Sequence, residues 1–592
     1  MKKRRIWFGL LAMTLMLSVL LGRLAWIQII DSGSFSRREI DLIGNSVGQR
    51  EQGIELDSGR GQFYDRNGLP ITGETVRALV LFPVKRSAAD KDGGMRQIAR
   101  ILGAEEKSWN DFYANANVPK MWTEPGTGLP IPLNADQARR IVQLAVPGAE
   151  VMETVRRYPA NAAAKHAIGF IGQNPQRIES RFAKQLSRGS LSLTSRIGAA
   201  GLEKTMEPYL QGVGKTSVSL FTDGNNRPLS GLDVRLVSPG NPYYPLRVQT
   251  TLDLNVQRKV ERILDQAGIA SGAAVVLDAE NADVLAMVSK PDFDPYRILP
   301  DNGDWGNKAI KAIAPGSVFK TAVAAAALEE GIVKPDETFE CNGTFGKYGF
   351  TCWLHGGHGT ITLEQAFAQS CNVVFAKVMQ RLSGEKLQEI AHKLGLDRQV
   401  GWTEENSGGQ AWSQLDGEER GQIFAGRLPS EDEGIRVQTA IGQRDVLVSP
   451  LQAANLVVTL LHGGEVFSPR IVRDVRYRSN TVAQSFPVHV LSSSQDGISS
   501  RTSHEIGKWM QEVVRTGTGK PLQQAKWKLA GKSGTAETTV GGRAAVHQWF
   551  VGYGPVERPQ YAVAVVAENE PENGPNRSLA AFRDIMNALA AQ

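Results

Sequence analysis

Cysteine is scarce, at 3 in 592 residues, which excludes a small scaffold held by dense disulfides. Gly (61) and Pro (28) follow no collagen or low-complexity period. Acidic residues are absent from positions 1–30, which carry Lys2, Lys3, Arg4, Arg5 and Arg23. Those basic residues account for most of the net charge of +6. The remaining chain is therefore nearly neutral and lacks the basic field of a nucleic-acid binder. What is present is a globular composition, 41% hydrophobic and 22% charged. At roughly 100–200 residues per domain, the length allows three or four domains.

One long apolar run stands out. Met1-Lys-Lys-Arg-Arg5 precedes uncharged residues 6–22, and after Arg23 the apolar character continues to residue 30. As a helix, residues 6–30 would reach roughly 37 Å, enough to cross about 30 Å of hydrocarbon. The basic cluster keeps a tail, residues 1–5, in the cytoplasm and sends the rest of the chain outward, as a single-pass anchor. A cleaved signal peptide would need a shorter apolar core and a small-residue cleavage site, and neither is evident.

Beyond the anchor, Ser238-Pro-Gly-Asn-Pro-Tyr-Tyr-Pro245 marks a boundary, dividing the exterior into residues 31–245 and 246–592. Residues 62–64 read as a short strand ahead of a tight turn at 65–68. Later strands are expected at 248–252, 273–277, 284–288, 549–553 and 561–567, with helices at 255–267 and 579–591. Strands before and after a helical middle predict an α+β domain whose sheet is assembled from both ends.

Three short motifs carry chemistry. Ser317-Val-Phe-Lys320 follows Pro315-Gly316 and opens an Ala-rich helix, which puts a hydroxyl at a helix N-terminus with an amine three residues on. A second Ser-x-x-Lys, Ser383 to Lys386, lacks a buried helix behind it and reads as a solvated turn. Ser370-Cys371-Asn372 offers a hydroxyl and a carboxamide on one turn, although Ser370 alone would pass for a helix cap. Lys532-Ser533-Gly534-Thr535 reads as a strand edge where Gly534 admits a substrate backbone, although Lys532 alone would pass for a charge guarding a sheet edge. Taken together and in this order, S-x-x-K, S-x-N and K-[S/T]-G form the set of penicillin-recognising serine enzymes.

On these motifs the chain resembles the class B penicillin-binding proteins, membrane-anchored D,D-transpeptidases that cross-link peptidoglycan. Arg60-Gly61 with Asp65-Arg66-Asn67-Gly68, Arg157-Tyr158-Pro159 with His166, and Gly201-Leu202-Glu203 resemble the family's pedestal segments. Thr251-Leu-Asp253, Ile441-Gly442-Gln443 and Pro450-Leu451-Gln452 resemble its transpeptidase domain. Lys-Ser-Gly stands where Lys-Thr-Gly is commoner.

The resemblance implies an elongated mixed α/β pedestal over residues 31–245. It also implies a transpeptidase domain over 246–592, with an antiparallel sheet covered by helices. Ser317 would be the nucleophile, Lys320 its base, Ser370 a proton relay and Asn372 a substrate-amide holder. Lys532, Ser533, Gly534 and Thr535 would bind the substrate carboxylate, with the N–H groups of Ser317 and Thr535 as oxyanion hole. No metal or cofactor is required. The implied partners are stem peptides, β-lactams as covalent inhibitors, and a SEDS-type glycosyltransferase in the bacterial membrane, since no segment resembles a glycosyltransferase. A D,D-carboxypeptidase and a non-catalytic or sensory β-lactam-binding scaffold are the competing functions. Sensors of that type carry further membrane spans, and an idle scaffold would have lost one of the three motifs.

Cys341, Cys352 and Cys371 lie near His355-Gly-Gly-His358. Their spacing fits no zinc motif, so no metal is expected. Any of the three pairwise disulfides, or buried free thiols, remains open.

Overall fold

The protein is described by a computed structural model covering residues 2–26, 51–84, 93–221, 234–334, 336–405, 411–426 and 431–591. The N-terminal helix Lys2–Ala25 contains the apolar stretch Ile6–Ala25, long and apolar enough to cross a membrane, and its apolar side chains are exposed. Residues 27–30 of the expected anchor lie outside the described residues.

Two compact units divide the chain, and they do not follow the contiguous boundary at 245. One comprises Met1–Ser58, Thr75–Arg156 and Gly214–Gly240, the other Gly59–Glu74, Arg157–Val213 and Asn241–Gln592. In the first unit, Thr216–Phe221 pairs antiparallel with Glu51–Asp57 on one side and Arg235–Val237 on the other. A second small sheet orders Lys120–Met121, Glu74–Leu81 and Ala149–Arg156. Helices Gly94–Leu102 and Ala135–Leu144 pack Ile98 and Ile141 with Leu79, Leu81 and Trp109 in its core.

Two features explain why residues 59–74 and 157–213 group with the C-terminal half. The expected strand at 62–64 pairs in parallel with Arg247–Thr250, Phe63 opposite Val248. In addition, Arg60, Arg157, Glu203 and Glu207 form one buried ion cluster. Arg60 Nη2 donates to Glu203 Oε2 and to Glu207 Oε2, each at 2.7 Å, and Arg157 Nε donates to Glu203 Oε1 at 2.6 Å. Tyr158 donates its hydroxyl to the same Oε1 at 3.1 Å. Three sequence segments that resemble pedestal motifs thus meet at Glu203, which is fully buried.

The main sheet of this second unit has five antiparallel strands. β1 (Gly272–Asp278) and β2 (Val284–Lys290) come first in the chain, and β3 (Ala530–Val540), β4 (Arg543–Gly554) and β5 (Tyr561–Glu570) come last. Their order is β2-β1-β5-β4-β3, so the C-terminal strand β5 joins the two ends of the chain. Both faces are covered. Alternate residues Ala274, Val276, Val563, Val565 and Phe550 pack against α1 (Leu254–Gln266) and α6 (Arg577–Leu589). The residues between them, Ala273, Val275, Ala564 and Val566, belong to the opposite, larger core. That core includes α2 (Lys320–Glu329), α3 (Asn372–Arg381), α4 (Pro450–Leu461) and α5 (Ser500–Arg515). Burial on two sides is why these strands read as continuous apolar runs.

Candidate active site

The Pro315-Gly316 turn opens a short 3-10 segment, Gly316–Phe319, which passes directly into α2. Ala322, Ala324, Ala325, Ala326 and Ala327 are fully buried, and their small side chains let neighbouring elements close around the helix on all sides. Ser317 is half-buried in the 3-10 turn, and its hydroxyl makes no hydrogen bond among the described residues. Lys320, in the first turn of α2, is fully buried.

Lys320 does not hydrogen-bond to Ser317. Its Nζ donates to the Ser370 carbonyl at 2.7 Å and to Asn372 Oδ1 at 2.8 Å, and lies 3.4 Å from Ser370 Oγ. The Ser370-Cys371-Asn372 turn is made where helix Leu363–Ala368 stops. Cys371 N–H donates back to the Ala366 carbonyl, Ser370 takes a left-handed φ of 56°, and Asn372 begins α3. Cys371, not Ser370, is the N-cap residue, which leaves the Ser370 hydroxyl for the site.

Lys532 on edge strand β3 is 1% exposed, which rules out a role as a solvated edge charge. Its Nζ donates to Ser370 Oγ at 3.0 Å and to the Ser533 carbonyl at 2.9 Å. Ser370 Oγ therefore lies between two buried amines. Burial pulls Lys320 from an ordinary 10.5 down to about 7. Burial, and then the charge of Lys320, pulls Lys532 well below its usual range. Two amines sharing one hydroxyl in a dry site favour holding a single positive charge.

Ser533 turns its hydroxyl to Thr518, Oγ to Oγ1 at 2.6 Å. Sequence reasoning missed Thr518, although the run Thr516-Gly-Thr-Gly519 just past α5 was a readable signal. Thr535 is exposed. A Cβ on Gly534 would lie 2.5 Å from the Pro315 carbonyl and 2.9 Å from Val318 Cγ2, so its bare backbone admits the Ser317 segment. The approach is mutual, because a Cβ on Gly316 would lie 2.3 Å from the Thr535 carbonyl. Trp549 Nε1 donates to the Ala314 carbonyl at 3.0 Å, and Gly316 N–H to the Gly442 carbonyl at 3.0 Å, holding the turn against β4 and residue 442. The second Ser-x-x-Lys stays apart: Ser383 caps helix Gly384–Lys393 by accepting from Lys386 N–H.

Four potential ligands cluster despite their irregular spacing in sequence. Cys341, Cys352, Cys371 and His358 come together with their ligand atoms all within 4.8 Å of one another, while His355 is exposed and stands outside the group. All three cysteines are free thiols.

Residues 272–587 match the penicillin binding protein transpeptidase domain, and residues 55–244 the penicillin-binding protein dimerisation domain. Stage V sporulation protein D of Bacillus subtilis (strain 168) is 27% identical over 96% of this chain and 82% of its own length. Peptidoglycan D,D-transpeptidase MrdA of Acinetobacter baumannii is 26% identical over 97% of this chain and 86% of its own. A chain from a peptidoglycan synthase complex that coordinates polymerization and crosslinking superposes with a TM-score of 0.67 at 24% identity, covering 99% of this chain and 98% of that one. PBP2 in complex with MreC from Helicobacter pylori superposes at 0.62 and 22% identity, over 91% and 99% of the two chains.

Proposed function

The chain belongs to the penicillin-binding protein transpeptidase family, and on that footing we propose that it is a serine D,D-transpeptidase that cross-links peptidoglycan stem peptides through an acyl-enzyme on Ser317. The observation that carries the assignment is one hydrogen-bonded cluster beside the Ser317 turn in which Lys320, Ser370 and Lys532 are buried and Asn372 is half-buried.

With Lys320 near pH 7, a neutral amine is available to take the Ser317 proton. The Ser317 oxygen then bonds to the carbonyl carbon between two terminal D-Ala residues. The backbone N–H groups of Ser317 and Thr535 receive the oxyanion, a contribution of about 3–4 kcal/mol for one such donor. That pairing is supported by the close approach of Gly316 and Thr535. The proton passes through Ser370 to the leaving amine, the C–N bond breaks and D-Ala departs. Asn372 holds the substrate amide. The cation left on the lysine pair, with the hydroxyls of Ser533 and Thr535, attracts the terminal carboxylate. An amine from a second stem reverses the sequence, giving up its proton through Ser370 as the ester opens. A β-lactam acylates the same oxygen and stays.

The match to the dimerisation domain supports a transpeptidase over a D,D-carboxypeptidase. The apolar helix Ile6–Ala25 supports a single-pass anchor with residues 1–5 cytoplasmic and the catalytic domain outside. The partner is a polymerase of the SEDS type, supported by the likeness to a chain of a synthase complex that couples polymerization to crosslinking.

Fluorescent penicillin tests the assignment. Ser317→Ala should abolish covalent labelling and Ser383→Ala should leave it intact; label retained by Ser317→Ala overturns the reading. Cross-linked dimer formed from a lipid-linked donor then separates a transpeptidase from a carboxypeptidase.

A further inference from the structure

We propose that Glu537 selects the donor stem peptide: its carboxylate binds the side-chain ammonium of the diamino residue that precedes the two terminal D-Ala residues. The inference rests on the reading of the chain as a D,D-transpeptidase acting through Ser317.

Strand β3 sets the position of Glu537. In the order β2-β1-β5-β4-β3 it comes last, and no strand pairs with its outer edge among the described residues, so an extended peptide can lie along that edge. Side chains alternate along the strand. Lys532, Gly534 and Ala536 are buried, the first two against the Ser370 and Ser317 turns. Ser533 is half-buried, and Thr535 and Glu537 are exposed. Glu537 therefore shares a side of the strand with Ser533 and Thr535, about 6.8 Å beyond Thr535.

The proposed chemistry gives the substrate a direction. Its terminal carboxylate meets the hydroxyls of Ser533 and Thr535, and its scissile carbonyl meets the N–H of Thr535. The last D-Ala thus lies toward Ser533, and the residues ahead of the scissile bond run from Thr535 toward Glu537. An extended chain advances about 3.4 Å per residue, which brings the residue before the two D-Ala between Thr535 and Glu537. That residue is the one with an amine to offer. Cross-linking consumes an amine borne on a stem, so a donor stem carries the same diamino side chain as an acceptor.

Charge along the hairpin of β3 and β4 suits this ligand. Glu537 is the single acid between residues 530 and 554. It makes no hydrogen bond or ion pair among the described residues. Arg543 pairs with Val540 across the hairpin, whereas Glu537 pairs with Val546. By alternation Arg543 stands on the opposite face and does not neutralise Glu537. The strand thus presents buried amines toward the terminal carboxylate and a free carboxylate toward the ammonium. A stem entering in the reverse direction would set like charges together at both ends, which fixes its polarity.

The test uses full-length protein in detergent and thioester stems, L-Ala-γ-D-Glu-X-D-Ala-D-thiolactate, with the released thiol as the readout. X is lysine, diaminopimelate or norleucine, the last being close to lysine in length without the charge. At low salt, kcat/KM should be about five- to tenfold higher for a diamino stem than for norleucine, and added salt should shrink that ratio. Of lysine and diaminopimelate, the one with the larger ratio is the residue the site takes. Glu537→Gln should bring the ratio to about one, Glu537→Asp should keep part of it, and Glu537→Lys should invert it. A ratio cancels any general loss of activity caused by the substitution. The proposal is overturned by a wild-type ratio near one for both diamino stems, or by a ratio that survives Glu537→Gln. The wild-type ratio decides even where a variant fails to fold. Failure of the underlying reading looks different: Ser317 would then take up neither fluorescent penicillin nor any thioester stem, instead of being acylated without preference.

Discussion

Lys532 donates a hydrogen bond to Ser370 Oγ at 3.0 Å, joining a residue on an edge strand to one in a left-handed turn 162 positions earlier. That hydroxyl is also the one Lys320 approaches from the far side, so a proton can pass along lysine, serine and lysine without reaching solvent. Ser370→Ala breaks the path while keeping the turn's backbone. The expected result is an acylation rate by fluorescent penicillin lowered about 10²–10⁴-fold, with the melting temperature little changed. A rate within about threefold of wild type would remove Ser370 from the relay.

Acylation should depend on the protonation of Lys320. In the proposed mechanism attack by Ser317 requires the neutral amine, and burial brings Lys320 down to about 7. The neutral fraction therefore grows as pH rises through about 7, and the second-order acylation rate should climb over the same interval and then level off. A flat profile across pH 6 to 8, measured by stopped-flow with a chromogenic β-lactam, would refute the assignment of Lys320 as base.

Gly534→Ala tests the fit between β3 and the Ser317 turn. The new methyl meets the Pro315 carbonyl at 2.5 Å, Val318 Cγ2 at 2.9 Å and Trp549 Cβ at 3.1 Å, two of the three on the segment that carries Ser317. Overpacking of this kind costs about 1–3 kcal/mol. Thermal unfolding should register that loss, and acylation should slow because Ser317 is displaced from Thr535.

Glu203→Gln should weaken the fold and spare the chemistry. The carboxylate is fully buried and held below its normal range; burial pushes it up, but Arg157 and Arg60 outweigh that. Losing its charge leaves buried guanidinium charge under-compensated, at a cost of about 3–5 kcal/mol where such a pair is broken. Urea unfolding measures the loss, while the fraction still folded should acylate at the wild-type rate. The same carboxylate makes stability fall as pH drops through its depressed folded value, because the native state must then take up a proton that the unfolded chain binds more readily.

How much of this was legible in sequence depends on what each feature is made of. β1 and β5 were readable because both faces are buried, so Ala273, Val275 and Val276, or Val563 to Val566, appear as unbroken apolar runs. The beginning of β3 was readable only through Lys532 to Thr535, since a strand made of Lys, Ser, Gly, Thr and Glu has no hydrophobic period. The convergence of Lys320, Ser370, Asn372 and Lys532 was anticipated from motif order, whereas the direct Ser317–Lys320 contact was not found. The grouping of residues 59–74 with the C-terminal half was illegible, because it rests on one parallel pairing and on Arg60 meeting Glu203, 143 positions away. The Cys341, Cys352, His358 and Cys371 cluster was illegible for the same reason: no local spacing encodes a site drawn from a strand end, a loop and a helix start.

The position of β5 constrains how the molecule is born. Residues 272–290 leave the translating ribosome as a hairpin whose inner edge, along β1, has no partner until residue 570 has emerged, some 280 positions later. At synthesis rates of about 5–20 residues per second, that edge stands open for roughly 15–60 seconds. Ser317 is made early in this interval, but the strand bearing Lys532 cannot dock until β5 has closed the sheet between them. Until residue 570 has emerged, each growing chain lacks the assembled cluster of Lys320, Ser370 and Lys532 and offers an unpaired strand for a chaperone to cover.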